Sequence, residues 1–179
     1  MSALARAATF LAAALVVAAA CGGGGGGGSS PTQPTPGITF AGSSSGGSSI
    51  ALSGNGTTTT LTLTAGANQV TALYGVGFDI VYPANLLAFT GASPGSMLAG
   101  VNTSFQAVEP TPGRVVIGYS RLGAVGGVTG GGPLVTLNFS SKGIAGSGTI
   151  SFDKQHAYDS NGEAISGVTW AGGSVTIVP

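Results

Sequence analysis

An alternation of apolar with small or polar residues at a period of two constrains this chain most, recurring in short runs from Ile38 to the C-terminus. Between Tyr74 and Tyr82, the side chains of Val76, Phe78, Ile80 and Tyr82 share one face. Leu61 and Leu63 repeat the pattern, as do Val115, Ile117 and Tyr119, then Val135, Leu137 and Phe139, then Ile150 and Phe152, then Val175 and Ile177. Successive side chains of an extended strand point to opposite faces, so these sets predict strands lining a shared core. Each such side chain, fully buried, contributes about 1.5–3 kcal/mol, enough in sum to offset chain entropy in one domain. Turn formers separate the runs: Pro83-Ala84-Asn85, Ser93-Pro94-Gly95, Pro110-Thr111-Pro112-Gly113, the stretch from Gly123 to Gly132, and Asp159-Ser160-Asn161-Gly162. No amphipathic helix is expected after residue 40. Many short strands without helices predict an all-β domain of two packed antiparallel sheets, a sandwich.

Composition narrows the function classes. Only 6% of the 179 residues are charged, and five basic side chains balance five acidic ones, so nucleic-acid binding has no electrostatic footprint. At 42% apolar residues the chain is not of the disordered class, which combines low hydrophobicity with high net charge. The stretch from Gly123 to Gly132 reads as a mobile loop beside a binding face, because no Lys-Ser/Thr or following helix makes it a phosphate loop.

The first residues form an address. Arg6 and the amino group supply positive charge, an apolar stretch runs from Ala7 to Ala20, and Ala18, Ala19 and Ala20 precede Cys21. Residues 1–20 therefore read as a signal peptide, too short and alanine-rich for a permanent span. The segment resembles a bacterial lipoprotein signal, which implies acylation of Cys21 and anchoring to the cell envelope at the outer membrane or cell surface. Ala18 and Ala20 also make an A-x-A site, which leaves secretion of a soluble form as the alternative. As the only cysteine, Cys21 has no disulfide partner. Residues 21–37, with an unbroken run from Gly22 to Gly28 and Pro31, Pro34 and Pro36, read as a tether of roughly 20–40 Å reach. The folded domain is expected over 38–179.

Within that domain the residues resemble the cohesin family over roughly Ile50 to Val178. The resemblance is carried by Val76-Gly77-Phe78-Asp79-Ile80-Val81-Tyr82-Pro83-Ala84-Asn85-Leu86-Leu87 and Ser93-Pro94-Gly95-Ser96-Met97-Leu98. It continues in Gly113-Arg114-Val115-Val116-Ile117-Gly118, Leu134-Val135-Thr136-Leu137-Asn138-Phe139 and Gly172-Gly173-Ser174-Val175-Thr176-Ile177. It implies a jelly-roll sandwich of about nine strands, related in fold to carbohydrate-binding modules. It also implies a non-catalytic surface module that captures a protein partner, a dockerin or similar, in polysaccharide breakdown or adhesion. Asp79, Arg114, Arg121 and Trp170 are the candidate partner contacts. A polysaccharide-binding module using surface aromatics and a structural envelope lipoprotein are the alternative readings.

The remaining chemistry is sparse, and neither cofactor nor metal is expected. His156, the only histidine, has no Cys or second His nearby to complete a zinc site and reads as a surface residue at a strand end. No G-x-S-x-G elbow exists, and Asp79, Glu109, Asp153, Asp159 and Glu163 sit in no catalytic motif, so the chain is not expected to be an enzyme. The run Asp159 to Glu163 has the spacing of half a calcium loop but reads as a β-turn. Tyr82 and Tyr119 are expected in the core, while Trp170 with Tyr74 and Tyr158 could offer an aromatic platform to a sugar.

Overall fold

Period-two runs become strands throughout a computed structural model that describes residues 37–179; the signal segment, Cys21 and the tether up to residue 36 lie outside the described residues. The strands are β1 (Gly37–Gly42), β2 (Ser49–Gly56), β3 (Thr60–Leu73), β4 (Gly75–Val81), β5 (Leu87–Pro94) and β6 (Thr103–Thr111). They continue as β7 (Arg114–Arg121), β8 (Val128–Ser141), β9 (Gly146–Tyr158), β10 (Thr169–Ala171) and β11 (Gly173–Val178). A six-stranded sheet has the order β1-β11-β9-β4-β7-β6, and a five-stranded sheet the order β10-β2-β3-β8-β5. The fold is an all-β sandwich of jelly-roll type, as expected.

Two details differ from the expectation. The described residues hold eleven strands rather than about nine, and one pair, β10 with β2, is parallel. The parallel pair and one of the additional strands trace to a sheet switch near the C-terminus: the chain runs three residues beside β2, turns at Gly172 and continues as β11 in the other sheet. A Cβ on Gly172 would lie 2.3 Å from the Ile150 carbonyl oxygen, so the crossing requires glycine. Three residues are too few to show a period in the sequence. The expected mobile loop also shrinks, because Gly130, Gly131 and Gly132 lie within β8 and pair with β3 across two irregular steps. Gly127 and Gly131 would place a Cβ 2.0 Å and 2.8 Å from the carbonyl oxygens of Ala72 and Ala67. Glycine there lets two long strands approach, and Gln69 and Ala72 of β3 take left-handed backbone angles, φ 50° and 53°, where the register slips.

Inward side chains from both sheets interdigitate. Phe78, Ile80, Val115, Ile117, Ile150 and Val175 come from the six-stranded sheet, and Ile50, Leu61, Leu63, Val135, Leu137 and Phe139 from the five-stranded one. Tyr82 and Tyr119 are buried among them, as expected. Tyr82 also ties three elements: its hydroxyl donates to Glu109 Oε1 on β6 and accepts the Phe89 N–H of β5 at 3.3 Å. Glu109 Oε1 in turn accepts the Gly113 N–H of the β6–β7 turn.

Candidate functional site

The outward side of the six-stranded sheet places β9, β4, β7 and β6 side by side, and their register sorts it into four cross-strand rows. The first is Tyr158, Gly75, Ser120, Ser104; the second His156, Gly77, Gly118, Gln106. The third is Asp153, Asp79, Val116, Val108, and the fourth Ser151, Val81, Arg114, Thr111. The face is poor in charge and built of short side chains.

Its charged part is one cluster. Arg114 donates from Nη1 to Asp79 Oδ2 and from Nη2 to Asp153 Oδ2, the latter at 2.9 Å. Asp79 faces away from the core yet its side chain is only 7% exposed, because the guanidinium roofs it, whereas Asp153 is 45% exposed. The hydrogen bond from Arg114 is the main cause holding the Asp153 carboxyl below its ordinary value of 3.8. The two carboxylates, Asp153 first, hold Arg114 above its own ordinary range. Asp153 is the exposed carboxylate of the cluster, and the Lys154 ammonium beside it in the chain also acts on it.

Beside the cluster lie two hollows. The first, ≈ 400 Å³, has Gly75, Gly77 and Gly118 in its lining, with Tyr74 and Tyr158 and the polar groups of Ser104, Gln106 and Ser120. The second, ≈ 370 Å³, is lined by Val108, Pro110 and Val116 together with Gln106 and Gly118. Val108 and Val116 pair directly across β6 and β7 and are 47% and 41% exposed, which makes this corner the apolar part of the face.

Of the residues expected from sequence, Asp79 and Arg114 meet here. Arg121 does not join them, since its Nη1 donates to the Gly126 carbonyl and braces the chain entering β8. Trp170 belongs to the other sheet, half-buried, its ring 5.7 Å from Phe78 and 5.1 Å from Phe152. Cys21 lies outside the described residues. His156 is exposed on β9 and stacks on Tyr158 at 5.8 Å. The Asp159 carboxylate accepts the Asn161 and Glu163 amides at 2.8 and 2.9 Å, closing the expected β-turn, and these bonds hold its carboxyl below 3.8. Among the described residues no three His, Cys, Asp or Glu side chains converge to hold a metal ion. Gly75, Gly77 and Gly118 lie in or beside the motifs that carry the family resemblance, whereas Gln106 and the pairing of Val108 with Val116 were not singled out in the sequence. Their signal was present as glycine and valine at the positions between core residues, where strands usually carry Thr or Ser.

Residues 38–177 match the Cohesin domain family, most of the described chain. The chain belongs to the cohesin family. Three solved structures share the fold of this cohesin domain. A type II cohesin domain from the cellulosome of Acetivibrio cellulolyticus is 16% identical, with a TM-score of 0.59 over 73% of this chain and 95% of that one. A non-cellulosomal cohesin from the archaeon Archaeoglobus fulgidus is 17% identical, with a TM-score of 0.52 over 76% and 88%. A cohesin in a type II cohesin–X-dockerin complex from Acetivibrio cellulolyticus is 15% identical, with a TM-score of 0.59 over 69% and 94%. No protein in a search of curated sequences matches the chain.

Proposed function

We propose that this cohesin domain is a non-catalytic module that docks a dockerin-like protein partner on the outward face of β9, β4, β7 and β6. The observation that carries the reading is a face of short side chains with an exposed apolar pair, Val108 and Val116, beside the Asp79–Arg114–Asp153 cluster. Apolar contacts supply area and a partly desolvated charge cluster fixes orientation, the division of labour common at protein interfaces. Family membership and the dockerin complex of a cohesin with the same fold support the choice of partner. Four of the five carboxylates have partners within the fold: Asp79 and Asp153 share Arg114, Glu109 accepts the Tyr82 hydroxyl and Asp159 closes a turn. The test is calorimetric titration with calcium-loaded dockerin modules. Binding lost on chelation and weakened at least tenfold in Val116→Glu supports the reading; a panel with no binder, or unchanged binding in Val116→Glu, contradicts it.

We further propose that the chain is exported and held at the envelope by lipid on Cys21, with residues 21–36 as its tether. Mass spectrometry of the membrane fraction is expected to find an acylated N-terminal peptide beginning at Cys21. An unmodified Cys21 at that terminus refutes the anchor.

A further inference from the structure

Two of the four outward positions on β4 are glycine, Gly75 and Gly77, and β7 faces Gly77 with Gly118. Glycine inside a strand loses backbone entropy and packs nothing, so it marks a special backbone angle, a crowded neighbour, or something that approaches closely. The first two causes do not apply at 77 and 118. Neither has a positive φ. A Cβ at Gly118 would meet no heavy atom within 4 Å, and one at Gly77 only the Ile117 carbonyl oxygen at 4.0 Å. At Gly56 and Gly95, by contrast, a Cβ would sit 2.0 and 2.2 Å from a backbone oxygen. Gly77 also borders the irregular step of the β4–β9 pairing, but Gly118 lies in unbroken register with both of its neighbours, so at Gly118 no demand of the fold remains and approach from outside is left.

The hollow over these glycines selects an uncharged occupant. Its polar lining is Ser104, Gln106, Ser120, Ser160 and the ends of Tyr74 and Tyr158, and the one charged residue in it, Asp159, has its carboxylate turned to the backbone amides of Asn161 and Glu163. A sugar ring would want an open aromatic face. One face of the Tyr158 ring is taken by His156, the Tyr74 hydroxyl donates to the Gly123 carbonyl at 2.9 Å, and Trp170 packs on Phe78 and Phe152. A protein side chain needs only depth. Along the strands, the next row holds Asp79, roofed by Arg114, and the exposed carboxylate of Asp153. Rows on one face are two residues, about 6.7 Å, apart, close to the ~6 Å rise between positions i and i+4 of an α-helix.

Resting on the docking reading above, we infer that the glycine-floored hollow is the specificity subsite of the face. It receives one large uncharged side chain, aromatic or Leu/Met, from a partner helix laid along β4 and β7, with a Lys or Arg one turn away over Asp153. Depth at Gly77 and Gly118 then decides which partners fit: those presenting a bulky side chain are accepted, and filling the floor excludes them.

Two measurements on the full-length protein test this. In the first, amide NMR follows titration with N-acetyl-tyrosinamide, N-acetyl-leucinamide and cellobiose. The amino-acid amides are expected to shift Gly75, Gly77, Gly118 and Ser120, and the shifts to vanish in Gly118→Leu. Absence of those shifts, their persistence in Gly118→Leu, or larger shifts with cellobiose overturns the inference, the last in favour of a saccharide site. Gly118→Ala, whose Cβ meets nothing, repeats the comparison should the leucine variant fold poorly. In the second, calcium-loaded dockerins are titrated. Binding weakened at least tenfold in Gly118→Leu supports the subsite, and equal binding overturns it. If no dockerin binds the unmodified protein, the docking reading fails, while the first measurement still decides the subsite.

Discussion

At the scale of single residues, the polar side chains that matter are those sharing a partner. Among the described residues Arg114 is the sole cation bonded to the nearly buried Asp79, so Arg114→Ala leaves an acceptor without its donor. An orphaned buried group costs about 1–3 kcal/mol, and urea denaturation of Arg114→Ala is expected to show a loss of that size. Asp79→Asn in the same molecule removes the stranded charge and is expected to recover part of the loss. Equal stability of single and double variants would contradict the pairing. Tyr82 is a second such knot. Phenylalanine there keeps the ring's packing on Phe139, 5.0 Å between centroids, and removes the bonds to Glu109 and Phe89. The expected cost is about 1–2 kcal/mol, read from the same denaturation curves. Neither knot was legible in the sequence. Asp79 and Arg114 stood out as charges in strand runs, but Asp153 enters only through the β4–β9 pairing, which joins residues 74 positions apart.

At the scale of elements, alternation predicts a strand wherever the inward positions carry large apolar side chains, as in β4, β7 and β11. It is silent where they do not. In β6 the inward apolar residues are only Phe105 and Ala107, with Glu109 following on that side, and its end falls in an expected turn. The glycine-rich start of β8 has no outward or inward signature at all, and it becomes strand because β3 lies beside it. Glycine has opposite meanings in the two places. Gly127→Ala is expected to lower the melting temperature, because its Cβ would sit 2.0 Å from the Ala72 oxygen, whereas Gly77→Ala is expected to leave it unchanged or raise it. A stability loss in Gly77→Ala equal to that in Gly127→Ala would show that the glycine floor serves packing after all.

At the scale of the whole molecule, titration sets a broad plateau of stability. Asp153 and Asp159 have depressed carboxyl values in the folded state, so their contribution is present above 3.8 and is lost as pH falls through the lower folded values. Tyr82 is shifted the other way, chiefly by burial and then by its bond to Glu109. Its contribution is present below 10.0 and is lost as pH rises from there toward the higher folded value. Melting temperature is therefore expected to fall on both the acid side of about pH 4 and the alkaline side of about pH 10. A melting temperature that stays level through both ranges would contradict this assignment. The sandwich and its family were legible in the run of motifs from Val76 to Ile177, since core alternation and turns are local. The docking face was not, because a face is assembled across strands and its short side chains carry no period of their own.

All of the functional reading rests on one sheet face. Amide-shift mapping of the full-length protein with a bound calcium-loaded dockerin addresses that directly. Perturbations concentrated on β4, β6, β7 and the end of β9, reversed by chelation of calcium, are the expected result. A footprint on β2, β3 and β8, or saturation without any change at Gly118 and Val116, would contradict it.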